Sequence, residues 1–183
     1  MNKYAPIAVY TYNRFEHFRQ TITALEKNII AKESTIYIVS DAAASEKDEE
    51  NVKKIREFSK KIKGFLSVEL VFRQGNLGPA KSIFGAEREI IDLHGKIISM
   101  EDDNLTSSNF LSFMNAGLEY FKDEPSVYSI CGYCPPVDLT PNLNSDIWFY
   151  LWNISWGYAT WKHKYDLLNP LINNYKQLKE NGI

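Results

Sequence analysis

The sequence predicts an α/β domain, with a mostly parallel central sheet and helices on both faces. Three observations lead there. Short runs rich in β-branched and aromatic residues alternate with longer segments whose apolar residues fall three or four apart. The short runs are apolar at most positions rather than at every second one, as in strands covered on both faces. The segments between them are long enough to hold a crossover helix, which parallel pairing requires.

Pro6 to Thr11 reads as the first buried strand, and Asn13 is placed to cap the helix that carries Phe15, Phe18, Ile22 and Leu25 on one face. Thr35 to Ser40 is the second strand, ended by Asp41. Ser45-x-x-Asp48 resembles a helix start, Val52, Ile55, Phe58 and Ile62 mark the stripe, and Gly64 stops it. Ser67 to Arg73 is a third strand, followed by the turn residues Gln74 to Gly78. Pro79 suits the first position of the next helix, and His94-Gly95 closes it. Lys96 to Met100 is a fourth strand and runs straight into Glu101-Asp102-Asp103. Thr106 or Ser107 can cap a helix with Phe110, Phe113, Met114, Gly117 and Phe121 on its apolar face, and Val127 to Cys131 is a fifth strand. Pro135 to Asp146 reads as a loop, Trp148 to Trp161 is dense in aromatics, and the stretch from Pro170 to Lys179 has a helical pattern.

At 183 residues the chain suits one domain with a core of its own. A formal net charge of −2 gives no electrostatic case for nucleic acid as a partner. The basic stretch Lys53 to Lys63 is broken by Glu57 and apolar residues, and reads as the solvent face of a helix. No signal peptide is visible and no apolar run approaches the ~20 residues of a membrane span, so the expectation is a cytoplasmic protein with no transmembrane segment. Cys131 and Cys134 are followed by Pro135-Pro136 rather than a helix, so a reduced pair is expected rather than a redox or zinc motif.

Ligands of such sheets bind beyond the carboxyl ends of the strands. Glu101-Asp102-Asp103 is the sharpest feature there. Three successive carboxylates repel one another, and a hard divalent cation, Mn²⁺ or Mg²⁺, would relieve them while phosphate oxygens fill its remaining positions. An acidic turn explains the same triplet without a ligand. Asp41 can accept from a base N–H or a ribose hydroxyl, or serve as a cap. Arg14 can pair with a phosphate or position Asp41. Asn76-Leu77-Gly78-Pro79-Ala80-Lys81 opens a helix whose N-terminus, with Lys81, can face an anion. It matches neither the dinucleotide fingerprint nor the P-loop.

The order of strand, Asn13-Arg14, strand, Val39-Ser40-Asp41, Asn76-x-Gly78 and Ile98-Ser99-Met100-Glu101-Asp102-Asp103 resembles GT-A fold glycosyltransferases, of the nucleotide-diphospho-sugar transferase type. More narrowly, it resembles bacterial relatives of N-acetylglucosaminyltransferase I, in which E-D-D replaces D-x-D. The resemblance implies a donor-binding α/β domain over residues 1–133 and a partial acceptor-side region over 134–183, in one globule. It implies Asp103 as the direct metal ligand. Glu101 and Asp102 would lie on ribose or the donor sugar, Asp41 on the base, and Arg14 beside base or diphosphate, with Asn76 and Lys81 at the donor site.

Trp156-Gly157-Tyr158-Ala159-Thr160-Trp161 resembles the aromatic motif of the acceptor region, which puts Trp156, Tyr158 and Trp161 on the acceptor side; a core tryptophan cluster explains them equally well. The activity implied is metal-assisted, inverting transfer from a nucleotide-sugar donor, UDP-sugar favoured. The acceptor is a hydroxyl of a glycan or lipid-linked molecule, which places the work in surface-polysaccharide assembly at the inner face of the membrane. Relatives place their catalytic base beyond the aromatic motif. Here Asp138, Asp146 and Asp166 are the carboxylates at hand, none in a recognisable motif, and the expectation is a truncated chain without its base. A sugar-1-phosphate nucleotidyltransferase lacks its Gly-rich loop in Tyr10 to Arg14, and a non-catalytic nucleotide-sugar-binding module is the remaining alternative.

Overall fold

The computed structural model describes residues 3–136 and 147–167. The helical expectation over Pro170 to Lys179 and the carboxylates Asp138 and Asp146 fall outside these residues.

In chain order the elements are β1 (Ile7–Thr11), α1 (Phe15–Glu26), a 3₁₀ turn (Ala31–Glu33), β2 (Thr35–Ser40), α2 (Glu46–Ser59), β3 (Ser67–Phe72), α3 (Pro79–His94), β4 (Lys96–Glu101), α4 (Phe110–Tyr120), β5 (Ser129–Cys131), β6 (Tyr158–Trp161) and α5 (Lys162–Tyr165). One six-stranded sheet runs in the order β3-β2-β1-β4-β6-β5. β1 pairs in parallel with β2 and with β4, and β2 with β3. Every residue of β1 is buried, which is why its run is uniformly apolar instead of alternating.

Successive residues along a strand face opposite sides of the sheet, and two cores form accordingly. On one side Ile7, Val9, Ile36, Ile38, Ile98 and Met100 meet Phe18, Ile22 and Leu25 of α1, Ile55 of α2, and Leu111 and Met114 of α4. On the other, Ala8, Tyr10, Val39 and Ile97 meet Ala86, Ile90 and Ile91 of α3 and Tyr165 of α5. Each fully buried large side chain contributes about 1.5–3 kcal/mol. The mostly parallel α/β architecture is therefore as the sequence predicts.

The departures are local. β6 lies antiparallel between β4 and β5, with Ser99 opposite Tyr158 and Lys96 opposite Trp161. Part of the aromatic-dense stretch is therefore sheet. Asn13 does not cap α1. Arg14 holds that position, and Asn13 Nδ2 donates to Asp48 Oδ1 at 2.6 Å. The fourth long helix starts at Phe110 behind Asn109, later than a cap at Thr106 or Ser107 implies. Arg56 leaves the solvent face of α2 and donates through Nη2 to the carbonyls of Ser40, Asp41 and Arg73. Cys131 and Cys134 are free thiols. No helix among the described residues is long and apolar enough to cross a membrane.

Candidate functional site

β1 has β2 on one side and β4 on the other, so the chain changes winding direction between β1 and β4. A sheet of this kind leaves a crevice at the carboxyl ends of two such strands. Thr11 ends β1 and Glu101 ends β4. The acidic triplet therefore stands at the switch point.

Asp102 is only 2% exposed. Thr11 Oγ1 donates to its Oδ2 at 2.9 Å, Arg14 Nη2 donates to its Oδ1, and Thr21 Oγ1 donates to its carbonyl at 2.9 Å. With both carboxylate oxygens taken, Asp102 acts as an anchor for the turn, and its contact with a sugar would require an exchange of partners. Arg14 Nη1 also donates to Asp103 Oδ2 at 2.7 Å. Burial works against the Arg14 charge, but Asp102 and Asp103 outweigh it and raise its pKa. Arg14 is thus the group that relieves the repulsion within the triplet.

The Asp103 side chain is 34% exposed, and its Oδ1 has only a long 3.4 Å contact from Asn104 Nδ2. The Asn104 side chain turns back to accept from the Glu101 backbone N–H at 3.2 Å, which closes the turn. Glu101 is half-buried; burial, then the Asp103 charge, raises its pKa, and Arg14 opposes them.

Asp103 borders a cavity of about 220 Å³ whose wall also carries Asn104, Thr106, Phe110, Tyr133 and Trp156. The rings of Tyr133 and Trp156 lie 4.8 Å apart. Gly132 and Gly157 let the ends of β5 and β6 pass over Phe110. The Gly132 N–H donates to the Gly157 carbonyl at 2.8 Å, and a Cβ on Gly132 would collide with Phe110 and Met114.

Asp41 and Asn76 form a second group beside this one. Asp41 is buried and accepts from the N–H groups of Ala42 (2.9 Å) and Leu77 (3.0 Å), while Asn76 Nδ2 donates to the Ala42 carbonyl at 2.7 Å. Together they tie the end of β2 to the turn that opens α3. Lys81 is exposed in the first turn of α3 and joins neither group.

The three aromatic residues separate. Trp156 is 54% exposed at the cavity. Tyr158 is buried mid-sheet and donates to Glu87 Oε1 at 2.8 Å. Trp161 is buried opposite Lys96, and its Nε1 donates to the Leu118 carbonyl at 3.0 Å. Because β6 is antiparallel, Trp161 stands at the amino end of β4, roughly 16 Å along the strand from the triplet. Asp166 follows it at that end and pairs with Arg88 (2.6 Å) and Lys162 (2.7 Å), so it is removed from the cavity.

Thr11, Thr21 and Tyr133 belong to the site and escape a sequence reading, because their partners are far away in the chain, while Asn104 joins it through its own turn, on the Glu101 N–H and Asp103. Thr11 offered the one available signal, as the last residue of a strand ending at the crevice.

Among the described residues no three His, Cys, Asp or Glu side chains gather into a metal-holding cluster. The residues present do fit a cation that takes one carboxylate oxygen and completes its shell with phosphate oxygens and water. Asp103 Oδ1 would be that oxygen, since Arg14 Nη1 holds the other one.

No family model and no curated protein matches the chain. Among solved structures its fold is similar to the mannosyltransferase PcManGT from Pyrobaculum calidifontis in complex with GDP-Man and Mn²⁺. The TM-score is 0.52 at 17% identity, over 71% of this chain and 36% of that one. It is also similar to S. aureus TarS 1-349, with TM-score 0.51 and 15% identity over 70% of this chain and 34% of that one. The chain therefore spans about a third of the length of these two structures. At such identities the likeness is one of fold, and the fold is shared with glycosyltransferases.

Proposed function

We propose that this glycosyltransferase-like fold is the donor-binding core of an enzyme that moves a sugar from a nucleoside-diphosphate donor to a hydroxyl of a glycan or lipid-linked acceptor. The observation that carries the reading is the placing of Glu101, Asp102 and Asp103 at the β1–β4 switch point beside a cavity walled by Asp103 and Trp156. The E-D-D sequence and its resemblance to bacterial relatives of N-acetylglucosaminyltransferase I support the finer assignment.

In this reading residues 1–133 bind the donor and the residues from 134 begin the acceptor side. Asp103 would hold Mn²⁺ or Mg²⁺, which supplies charge compensation for the departing diphosphate. Arg14 orients the triplet and offers a second cation to phosphate oxygens. Asp102, locked by Thr11 and Arg14, fixes the height of Asp103 above the sheet. Glu101 offers a half-buried carboxylate to sugar or ribose hydroxyls. Asp41, with Asn76, shapes the edge on which the base would rest. Trp156 and Tyr133 present aromatic faces to a sugar ring. Transfer would proceed with inversion, by a base outside the described residues.

The test is calorimetry against UDP, GDP and CDP, each with and without Mn²⁺. Binding of one nucleotide only when Mn²⁺ is present is expected. A folded chain that binds none of the three would refute the donor-site reading. One observation favours a second reading, a nucleotide-sugar-binding module without turnover: Asp166, the described candidate for a base, lies at the wrong end of the sheet. Release of nucleoside diphosphate from a bound donor in the presence of acceptor separates the two.

A further inference from the structure

Arg14 already occupies the acidic triplet as its cation, with Nη1 on Asp103 and Nη2 on Asp102. We propose that Arg14 makes the site take a divalent cation only together with a diphosphate, by holding Asp103 against the bare ion. The inference rests on the donor-site reading above.

The argument is one of competing charges. An ion on the free oxygen of Asp103 shares that carboxylate with the guanidinium on the other oxygen, and two cations on one carboxylate repel each other. Asp102 cannot absorb the conflict. It is 2% exposed, and Thr11 fixes its second oxygen. The bare ion therefore meets a carboxylate that already shares the Arg14 charge.

A diphosphate changes the sum. Its oxygens bring negative charge in the spacing that a guanidinium fork accepts two at a time. The Arg14 side chain is 45% exposed, so the outer nitrogen has room to turn. Nη2 stays on buried Asp102 as the pivot, and Nη1 leaves Asp103 for a phosphate oxygen. Asp103 is then free for the ion that the same diphosphate carries. Arg14 is a positioning residue here and exchanges one anionic partner for another.

Equilibrium dialysis of Mn²⁺ tests this, with Mn²⁺ alone, with inorganic pyrophosphate, and with UDP or GDP. The unmodified chain should retain little Mn²⁺ alone and more with pyrophosphate. Arg14→Gln should bind Mn²⁺ alone at least about tenfold more tightly, while Arg14→Lys, which keeps the charge, should not. Unchanged Mn²⁺ affinity in an Arg14→Gln protein with native circular dichroism overturns the proposal. So does pyrophosphate that leaves Mn²⁺ retention by the unmodified chain unchanged, a result that requires no variant to fold. Pyrophosphate and Arg14→Gln effects without any nucleotide binding remove the donor reading alone. Mn²⁺-dependent nucleotide binding in a chain that binds bare Mn²⁺ equally well removes the Arg14 proposal alone.

Discussion

Asp102 and Glu87 are each 2% exposed, yet the protein keeps the two carboxylates by different means. Asp102, at the open end of the sheet, has a guanidinium and one hydroxyl. Glu87, on α3 beneath the sheet, has hydroxyls alone: Ser99 at 2.6 Å, Tyr158 at 2.8 Å and Tyr165 at 3.1 Å. Burial raises the Glu87 pKa, and the three hydroxyls pull it only part of the way back. A carboxylate paired with a guanidinium has a charged partner of its own. One held by neutral donors is structural: it joins α3 to β4, β6 and α5, and its charge is a cost to the fold.

The comparison can be broken most sharply at its ligand-facing end. Asp103→Ala should weaken Mn²⁺-dependent nucleotide binding by roughly 100-fold, or about 2.7 kcal/mol, with the melting temperature unchanged. Calorimetry and a thermal scan on the same sample read both quantities. At the structural end the signs reverse. Glu87→Ala strips the acceptor from three buried hydroxyls and should cost about 3 kcal/mol in urea unfolding. Glu87→Gln keeps much of the shape and should change the pH dependence instead. The folded pKa of Glu87 lies above its ordinary value of 4.5, so the unfolded chain loses this proton first. The Glu87 contribution to stability is then fullest below about pH 4.5 and is lost as pH rises through the raised pKa, whereas Glu87→Gln lacks that slope. Urea titrations from pH 4 to 7 that gave parallel curves for the two proteins would remove Glu87 from this role. The smallest effect is expected at Thr11→Val, which deletes one hydroxyl donor to Asp102 and should cost about 1–2 kcal/mol, again by urea unfolding.

The same contrast separates what a sequence discloses from what it conceals. β1, β2 and β4 are continuous apolar runs bounded by turn chemistry, a local signal, and the structure has them where expected. The triplet was legible because it follows a buried strand directly. Arg14 was legible as a residue of interest, but its partners Asp102 and Asp103 lie across a crossover, and nothing nearby in the chain specifies that pairing. Glu87 reads as an ordinary polar residue of a helix, since its three donors come from β4, β6 and α5. β6 is four residues long and buried throughout, so it offers no alternation to read. Its aromatics invite a ligand-facing interpretation. Trp156 stands at the cavity, while Tyr158 and Trp161 serve the interior.

The place of β6 also bears on how the chain is made. β5 touches the sheet only through β6, which is synthesised after it, and β6 is the strand that covers β4. At ordinary translation speeds the free edge of β4 waits about 3 to 12 s for that cover to emerge from the ribosome. During that interval Lys96 to Glu101 is an open template for strand pairing, and its last residue begins the acidic triplet. Like charges there repel a second nascent copy, so the acidic triplet also guards an unfinished edge against self-association.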